Sequence, residues 1–503
     1  MFLIMAAVLF LVLFPLVNRM DFPQNDDWVY YEMVETFMSG DLTLDPYTGP
    51  TFYTQGIIAA GFAKLFGLAQ LPTLTFLFGV VNFYLLSKFL HERLHKSVRT
   101  SLLLGLIFFF NPLNIYLLMG FMTAQYFIFF LLLSIWFYSY YSETQESKYL
   151  WLLILTSLLG LLVRQVSMFI PFGLGFYHLL KLQFKKAGLF FTIFTLFYYY
   201  YQNIFPQSAR MIEVPLQYHH FTDFDYTFAV SFGVLIVVTA LLFPLFLGSI
   251  DFKKVFASKL KLFLTILLGF GIYHFALNAF NPHEVSWGEF PYFENTLERT
   301  GLYPRGVSGT KYQFRWNFDL YYYWDLASKV LLVSFISYVL IYRKRILNEY
   351  AALTIVYVGM LVVTETFYDR YILVAIPLLI LFFAKELLRE NRVTRLMLFG
   401  FLFFLMSFSY QLAHDFIGVN EYVWHRSEKL VVDEGIDRSR IQGTNAWKLK
   451  YRNQNRNYLY NFSYDSPDIN EDYANLYTLV EEKEISFPGN IFINPKVYLY
   501  KLN

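Results

Sequence analysis

Apolar residues recur along the first four-fifths of the chain in runs of about 17–22, the length that crosses the hydrocarbon core of a bilayer. The first run, MFLIMAAVLFLVLFPLV, has no Lys or Arg before it and no small-residue cleavage site after it. This favours a retained span over the alternative of a signal peptide. The runs lie near 1–17, 71–88, 101–118, 123–141, 150–163, 166–180, 188–205, 227–248, 262–280, 326–342, 350–368, 371–388 and 396–414. They predict an all-α polytopic membrane protein with about thirteen transmembrane helices.

Composition agrees with this pattern. Of the 503 residues, 56% are hydrophobic and only 16% are charged, where a soluble protein would have about a quarter charged. The net charge of +2 gives no reason to expect a nucleic acid as partner. The chain has no cysteine, which excludes disulfides and thiolate metal sites.

Basic residues sort the loops into two alternating sets. One set carries roughly 19 Lys and Arg, and the opposite set carries roughly half as many in more chain. The basic set comprises loops 88–99, 142–149, 181–186, 251–261, 343–349 and 385–395. Because short cytoplasmic loops are enriched in Lys and Arg, the N-terminus is predicted inside and, with an odd number of spans, the C-terminus outside.

The exterior would then hold four sizeable pieces, at 18–70, 206–226, 281–324 and 415–503. The last changes composition, with the alternating stretches NYLYNFSY and PKVYLYKL, and predicts a small extracytoplasmic α+β domain over 415–503, after a transmembrane domain over 1–414. In the first piece, residues 25–40 and 55–67 have the spacing of two external amphipathic helices.

The stretch NDDWVYYEMVETFMSGD (25–41) is the most distinctive polar segment. It places Asp26 and Asp27 at the start of the first external helix, with Val29/Tyr30, Met33/Val34 and Phe37 on one face. Acidic residues at this position satisfy free N–H groups and suit the helix dipole, so capping is the simpler explanation. A chemical role is the alternative.

Several segments, in this order and topology, resemble one family. The matching letters are Asp26-Asp27-Trp28, Tyr30-Tyr31, Gly40, Pro50 and Lys64-Leu65-Phe66-Gly67. Further matches are NPLNIYLLMGFMTAQYFIFFLLL, LLGLLVRQVSMFIPFGL (158–174), DRYILVAIPLL (369–379) and GIDRSRIQGTNAW (435–447). Together they resemble the GT-C class of polyprenyl-phosphate-sugar glycosyltransferases, nearest to the bacterial family 39 group, relatives of protein O-mannosyltransferases and the lipid A aminoarabinose transferase.

The resemblance implies a reaction in a bacterial plasma membrane. A sugar on a polyprenyl phosphate would be transferred at the outer leaflet to an acceptor hydroxyl on a protein, lipid or glycan, with inversion at the anomeric carbon. That chemistry needs a carboxylate base and fixed positive charge near the leaving phosphate. The resemblance assigns the base role to Asp26, and makes Asp27 its supporting acid or a ligand of a divalent metal.

Two arginines are candidates for the phosphate. Arg164 lies between two short apolar runs, at their predicted outer turn, and Arg370 lies in TFYDRYI. Guanidinium groups bind phosphate with two parallel hydrogen bonds, and an Arg at membrane depth is costly unless it has a role. The alternatives are an interfacial anchor for Arg164 and a structural ion pair with Asp369 for Arg370.

The chain also departs from the family pattern. Family members often carry an acid in the second external loop, where this chain has Thr123-Ala124-Gln125. The cluster HHFTDFD (219–225) could supply a metal ligand instead, but such a loop is more often simply solvated. Tyr30, Trp287 and Glu284 are candidate contacts to sugar or acceptor, with interface anchoring as the alternative for the aromatic residues.

Two other classes of function remain open at this point. A transporter or flippase for lipid-linked sugars would need charged or broken helices at the bilayer midplane, often in repeated halves. The sequence has its acids in external loops and shows no internal repeat. A non-catalytic relative that acts as an assembly partner is the other alternative, and the missing second-loop acid keeps it open.

Overall fold

The computed structural model describes the chain except for residues 47–50, 207–221, 280–295, 299–300, 303–305, 309–319, 343–346, 364–367, 453–456, 467–475 and 491–495. The described residues are mainly helical. The helices are α1 Phe2–Val17, α2 Asp27–Met38, α3 Tyr53–Phe66, α4 Leu71–Glu92, α5 Val98–Phe109, α6 Pro112–Leu118, α7 Ala124–Thr144, α8 Ser147–Leu161, α9 Phe169–Leu180, α10 Phe184–Asn203, α11 Phe224–Leu241, α12 Phe243–Ser249, α13 Phe252–Phe256, α14 Lys259–Ala279, α15 Leu320–Tyr342, α16 Glu349–Val362, α17 Ala375–Glu386, α18 Arg392–Glu434 and α19 Asn445–Lys450.

Several of these helices are suited to a bilayer. By length and composition, four segments in the described part of the chain could cross it: Leu68–Glu92, Ala124–Thr144, Tyr322–Tyr342 and Arg392–Glu434. The number is up to six if two bent pairs, Val98–Phe109 with Pro112–Leu118 and Tyr226–Leu241 with Phe243–Ser249, each form one span. The structure therefore supports a helical membrane protein, and the predicted count of about thirteen spans is not confirmed.

Apolar side chains on the helix surfaces fit the same environment. On α1, Leu3, Ile4 and Leu11 are 69%, 68% and 71% exposed, whereas Ala6 and Leu9 pack inward. In water such a continuous apolar face would be unfavourable, but hydrocarbon chains solvate it at no cost. The exposed residues of α1 are therefore compatible with a surface that faces lipid.

Ion pairs connect members of the basic loop set to one another. Arg93 contacts Glu143 at 2.5 Å, and Lys385 contacts Glu349 at 2.7 Å. Asp251 caps α13 and also binds Arg389, over 2.6 Å. These ion pairs therefore join loop 88–99 to loop 142–149, and loops 251–261 and 343–349 to loop 385–395.

Helices are confirmed at the two segments of the first predicted loop, as α2 and α3. Val29, Met33, Val34 and Phe37 of α2 are buried, as the helical spacing predicts. After α2 the chain turns at Gly40, whose φ of +92° is a conformation that glycine adopts without strain.

The N-terminus of α3 is fixed to the end of α8. The Thr54 N–H donates to the Leu162 carbonyl over 3.0 Å, and the Thr54 hydroxyl donates to the Leu159 carbonyl over 3.0 Å. This contact holds α3 against the turn that follows α8.

The C-terminal region contains a small sheet. Its strands are β3 Ile441–Gln442, β4 Tyr460–Ser463, β5 Tyr477–Glu484 and β6 Lys496–Leu502, in the order β3-β4-β6-β5. A short hairpin, β1 Leu297–Glu298 with β2 Gly301–Leu302, lies in the preceding part of the chain. The antiparallel pair β4–β6, which aligns Asn461 with Tyr500 and Phe462 with Leu499, confirms the two strands predicted from alternation.

Helix α18 connects this sheet to the membrane part. It runs for 43 residues without a break, so residue 415, the predicted start of the external domain, lies inside the helix. The helix ends at Gly435, whose φ of +66° is typical of a helix terminus. The predicted boundary at 415 therefore falls within α18, and the change in secondary structure comes at 435.

Candidate active site

Asp26 is the N-cap residue of α2, but its side chain makes no capping hydrogen bond. Its Oδ2 accepts a hydrogen bond of 3.0 Å from Asn25 Nδ2 instead. The Asp26 side chain is 32% exposed, and no described residue hydrogen-bonds its Oδ1. The hydrogen bond expected of a capping Asp26 is therefore absent, and one of its carboxylate oxygens is left without a described partner.

Asp27 has the opposite environment. It is fully buried, and its Oδ2 accepts a hydrogen bond of 2.9 Å from the Phe121 N–H. A Cβ at Gly120 would lie 2.9 Å from the same oxygen, so the turn at 119–121 approaches this carboxylate closely. Burial raises the pKa of Asp27 well above its usual value. The contacts of Asp27 suit a residue that holds the start of α2 in place.

Replacement of Asp27 by Ala should destabilise the protein. The change leaves the Phe121 N–H buried without its acceptor, which costs about 1–3 kcal/mol. A lower unfolding temperature of the purified variant in detergent would show this. Asp21, which is an exposed carboxylate in the same loop, offers the matched control, and Asp21→Ala should change stability much less.

Arg370 brings a positive charge to Asp26 from a distant part of the chain. It lies in the 3-10 helix Asp369–Val374 that precedes α17, with its Nη2 at 3.7 Å from Asp26 Oδ2. The Arg370 side chain is only 10% exposed, and its buried Nη1 has no hydrogen-bond partner among the described residues. Arg370 can therefore donate to an incoming anion without breaking an existing bond.

Asp369 does not serve as the ion-pair partner suggested for Arg370. Its Oδ2 accepts a hydrogen bond of 2.7 Å from the Leu297 N–H at the start of β1. Burial raises the pKa of Asp369 to about 7. Asp369 therefore fixes the short hairpin, and the charge of Arg370 is directed toward Asp26.

Arg164 reaches the same place from the turn after α8. Its guanidinium lies 5.2 Å from the ring centre of Tyr371, and that of Arg370 lies 5.8 Å from the same ring. In the described part of the chain no carboxylate pairs with Arg164. The two predicted phosphate residues are thus brought together around one aromatic side chain.

Tyr30 is also part of this group. Its ring stacks on Phe52 with a centroid distance of 5.0 Å. Burial raises the pKa of its hydroxyl, and the charges of Asp26, Arg164 and Arg370 also influence this pKa. Tyr30 therefore borders the space between the carboxylate and the two guanidinium groups.

The remaining candidates are not brought into this group. Trp287, Glu284, His219 and His220 lie outside the described residues. Within the described ranges no three His, Asp or Glu side chains are arranged to hold a metal ion.

The departure from the family pattern at Gln125 has a structural explanation. Gln125 is fully buried, and its Nε2 donates to Asn114 Oδ1 over 2.9 Å. Asn82 donates to the Gln125 carbonyl over 2.8 Å and to its Oε1 over 3.2 Å. An ionised acid at 125 could not donate to Asn114, so this amide network suits Gln.

Sequence reasoning missed Tyr371 and Asn25. Tyr371 directly follows Arg370 in the sequence. Its role beside two guanidinium groups becomes visible only in the structure, which brings Arg164 to the same ring. Asn25 directly precedes the two aspartates, but no local pattern shows that its amide donates to Asp26.

Burial and charge act in opposite directions on Asp26. Desolvation raises the pKa of its carboxyl, and the positive charge of Arg370 partly offsets the rise. A raised pKa makes a carboxylate a stronger base. The environment of Asp26 is therefore suited to accepting a proton.

Comparisons with protein-family models, with curated proteins and with solved structures found no match to this chain.

Proposed function

We propose that this protein is an integral membrane glycosyltransferase that moves a sugar from a polyprenyl phosphate to an acceptor hydroxyl. The observation that carries the proposal is the position of Asp26. Its carboxylate has a free oxygen and lies 3.7 Å from Arg370, whose Nη1 is buried without a hydrogen-bond partner among the described residues. A carboxylate that can act as a base and a guanidinium group that can donate a hydrogen bond to an anion thus face the same space.

The chemistry assigns a different role to each group. The acceptor oxygen attacks the anomeric carbon and transfers its proton to Asp26 Oδ1, while the bond between that carbon and the phosphate oxygen breaks. The electron pair leaves with the polyprenyl phosphate. One displacement of this kind inverts the configuration at the anomeric carbon.

The arginines stabilise the leaving group. Negative charge accumulates on the phosphate as the bond breaks, and Arg370 and Arg164 supply fixed positive charge where it develops. Arginine is suited to this role because it remains charged and presents paired donors to phosphate oxygens. Tyr371, which contacts both guanidinium groups, limits their movement.

The long apolar helices support a site at a membrane. A polyprenyl donor is held in the bilayer by its hydrocarbon chain, so its phosphate is confined to the membrane interface. We propose that α2 and α3 lie at this interface. A transporter would need charged groups at the midplane of broken helices. The carboxylate and guanidinium groups instead meet at helix ends and turns.

The proposal includes an orientation. The basic loop set is cytoplasmic, the chain crosses the bilayer about thirteen times, and the C-terminal domain is extracytoplasmic. A single cysteine introduced at Asn457 should react with a membrane-impermeant maleimide from the outside of intact cells. The chain has no natural cysteine to interfere. Labelling only after the membrane is opened would contradict this orientation.

Binding of the lipid phosphate tests the proposed function. Polyprenyl phosphate should stabilise the purified protein against thermal unfolding, whereas the uncharged polyprenol should do so much less, because it gives the arginines no anion. Equal stabilisation by both lipids would mean that only the hydrocarbon chain is recognised. The proposal would then lose its main support.

A further inference from the structure

The amide of Asn25 connects the proposed base to the C-terminal domain. Its Nδ2 donates to Asp26 Oδ2 over 3.0 Å, and its Oδ1 accepts from Asn445 Nδ2 over 2.6 Å. Asn25 is only 8% exposed, and its φ of +49° is a left-handed conformation that Asn tolerates better than most residues. The amide is thus held on both sides.

Asn445 determines which end of this amide faces Asp26. Because Asn445 donates a hydrogen bond, it selects the oxygen of Asn25, and the Asn25 NH2 group is then directed at the carboxylate. If the amide turned over, its oxygen would face Asp26 Oδ2 and the two would repel. Asn445 therefore acts on Asp26 through Asn25.

The position of Asn445 is itself fixed. It is the first residue of α19, whose start is capped by the Thr444 side chain, an acceptor for the Trp447 N–H over 3.2 Å. Gly306 lies so close that a Cβ there would be 2.3 Å from the Asn445 nitrogen. Trp447 is buried and packs edge-on against Trp424 of α18, at 5.1 Å. These contacts hold α19 against α18, and the bond from Asn445 to Asn25 links it to the start of α2.

We propose that Asn445 and Asn25 are positioning residues for Asp26, so that the C-terminal domain completes the active site by orienting its base. This inference rests on the proposed glycosyl transfer. Asn25 and Arg370 both contact Oδ2, which leaves Oδ1 directed toward the acceptor. The C-terminal domain then contributes to the rate of transfer and not to donor binding.

Asn445→Ala tests the proposal by its kinetics. The charged and titratable groups that face Asp26 are Arg370, Asp27, Tyr30 and Tyr116, and none of them is altered by this change. We expect kcat to fall about tenfold with an unchanged KM for the donor, since a hydrogen bond to a charged group is weakened. The acid limb of the pH profile should move to higher pH, because a carboxylate that loses a donor is protonated more easily.

Lys450→Ala is the matched control. It removes an ion pair of 3.2 Å with Glu32 at the same contact between α19 and α2, but it leaves the Asn445–Asn25 bond in place. This variant should keep the wild-type kcat and pH profile. If Asn445→Ala does not fold, Asn445→Leu, which also lacks a donor but fills the space, takes its place.

An unmoved acid limb in the folded Asn445 variant would overturn the positioning role while transfer by the wild type stands. An equal loss of kcat in Lys450→Ala would also overturn the positioning role, because the whole contact between α19 and α2 would then be responsible for the rate. A wild-type protein that transfers no sugar from any polyprenyl phosphate would remove both this inference and the proposed function.

Discussion

Asp26→Asn is expected to lower sugar transfer by roughly a hundredfold or more without unfolding the protein. Asn has the same shape and can still accept the hydrogen bond from Asn25, so the local structure should persist. It cannot take the proton of the acceptor hydroxyl, which is the step assigned to Asp26. Initial rates with a radiolabelled donor, together with the unfolding temperature, separate the two effects.

The control for this variant is another carboxylate of the same loop. Asp21 is 52% exposed and contacts His425 at 3.1 Å. Asp21→Asn changes the charge of the loop by the same amount and should retain near-normal transfer. If Asp26→Asn is as active and as stable as the wild type, Asp26 is not the base, and Asp27 becomes the carboxylate to test.

Arg370→Gln is expected to cost about a hundredfold in kcat/KM for the donor, because fixed charge at the leaving phosphate is lost. It should also change the pH dependence. Transfer requires Asp26 deprotonated, and the Arg370 charge lowers the pKa of Asp26. Without that charge the pKa rises, so activity is lost at a higher pH as the solution is acidified. A pH profile of kcat/KM measures both effects.

Arg164→Gln separates these two roles of Arg370. Arg164 lies at the same Tyr371 ring, but among the described residues it is Arg370 that pairs with Asp26. This variant should weaken donor binding while leaving the acid limb of the profile in place. If neither Arg variant changes donor affinity, the two residues do not bind the phosphate and have a structural role.

Local patterns made much of the fold predictable. Helix α2 has an apolar face at helical spacing, and β4 and β6 alternate at strand spacing, so each could be recognised from its own residues. The number of spans was harder to predict, because short or bent helices such as Ser147–Leu161 do not reach the length of a full crossing. Hydropathy alone cannot decide whether such helices cross the membrane.

The candidate site was predictable only in its parts. The sequence identified Asp26, Arg164 and Arg370 separately, by an acidic stretch and by charges at membrane depth. Their meeting depends on packing between segments more than a hundred residues apart, which no local pattern records. For the same reason the bond between Asn25 and Asn445, which joins the two ends of the chain, could not be predicted.

The central claim is that the protein transfers sugar from a polyprenyl phosphate, with Asp26 as the base. The most direct test is release of free polyprenyl phosphate from a panel of polyprenyl-phosphate sugars by the purified protein in lipid vesicles. We expect acceptor-dependent release by the wild type with at least one donor, and release reduced about a hundredfold in Asp26→Asn. Equal release by the wild type and Asp26→Asn, or no release by the wild type from any donor, would contradict it.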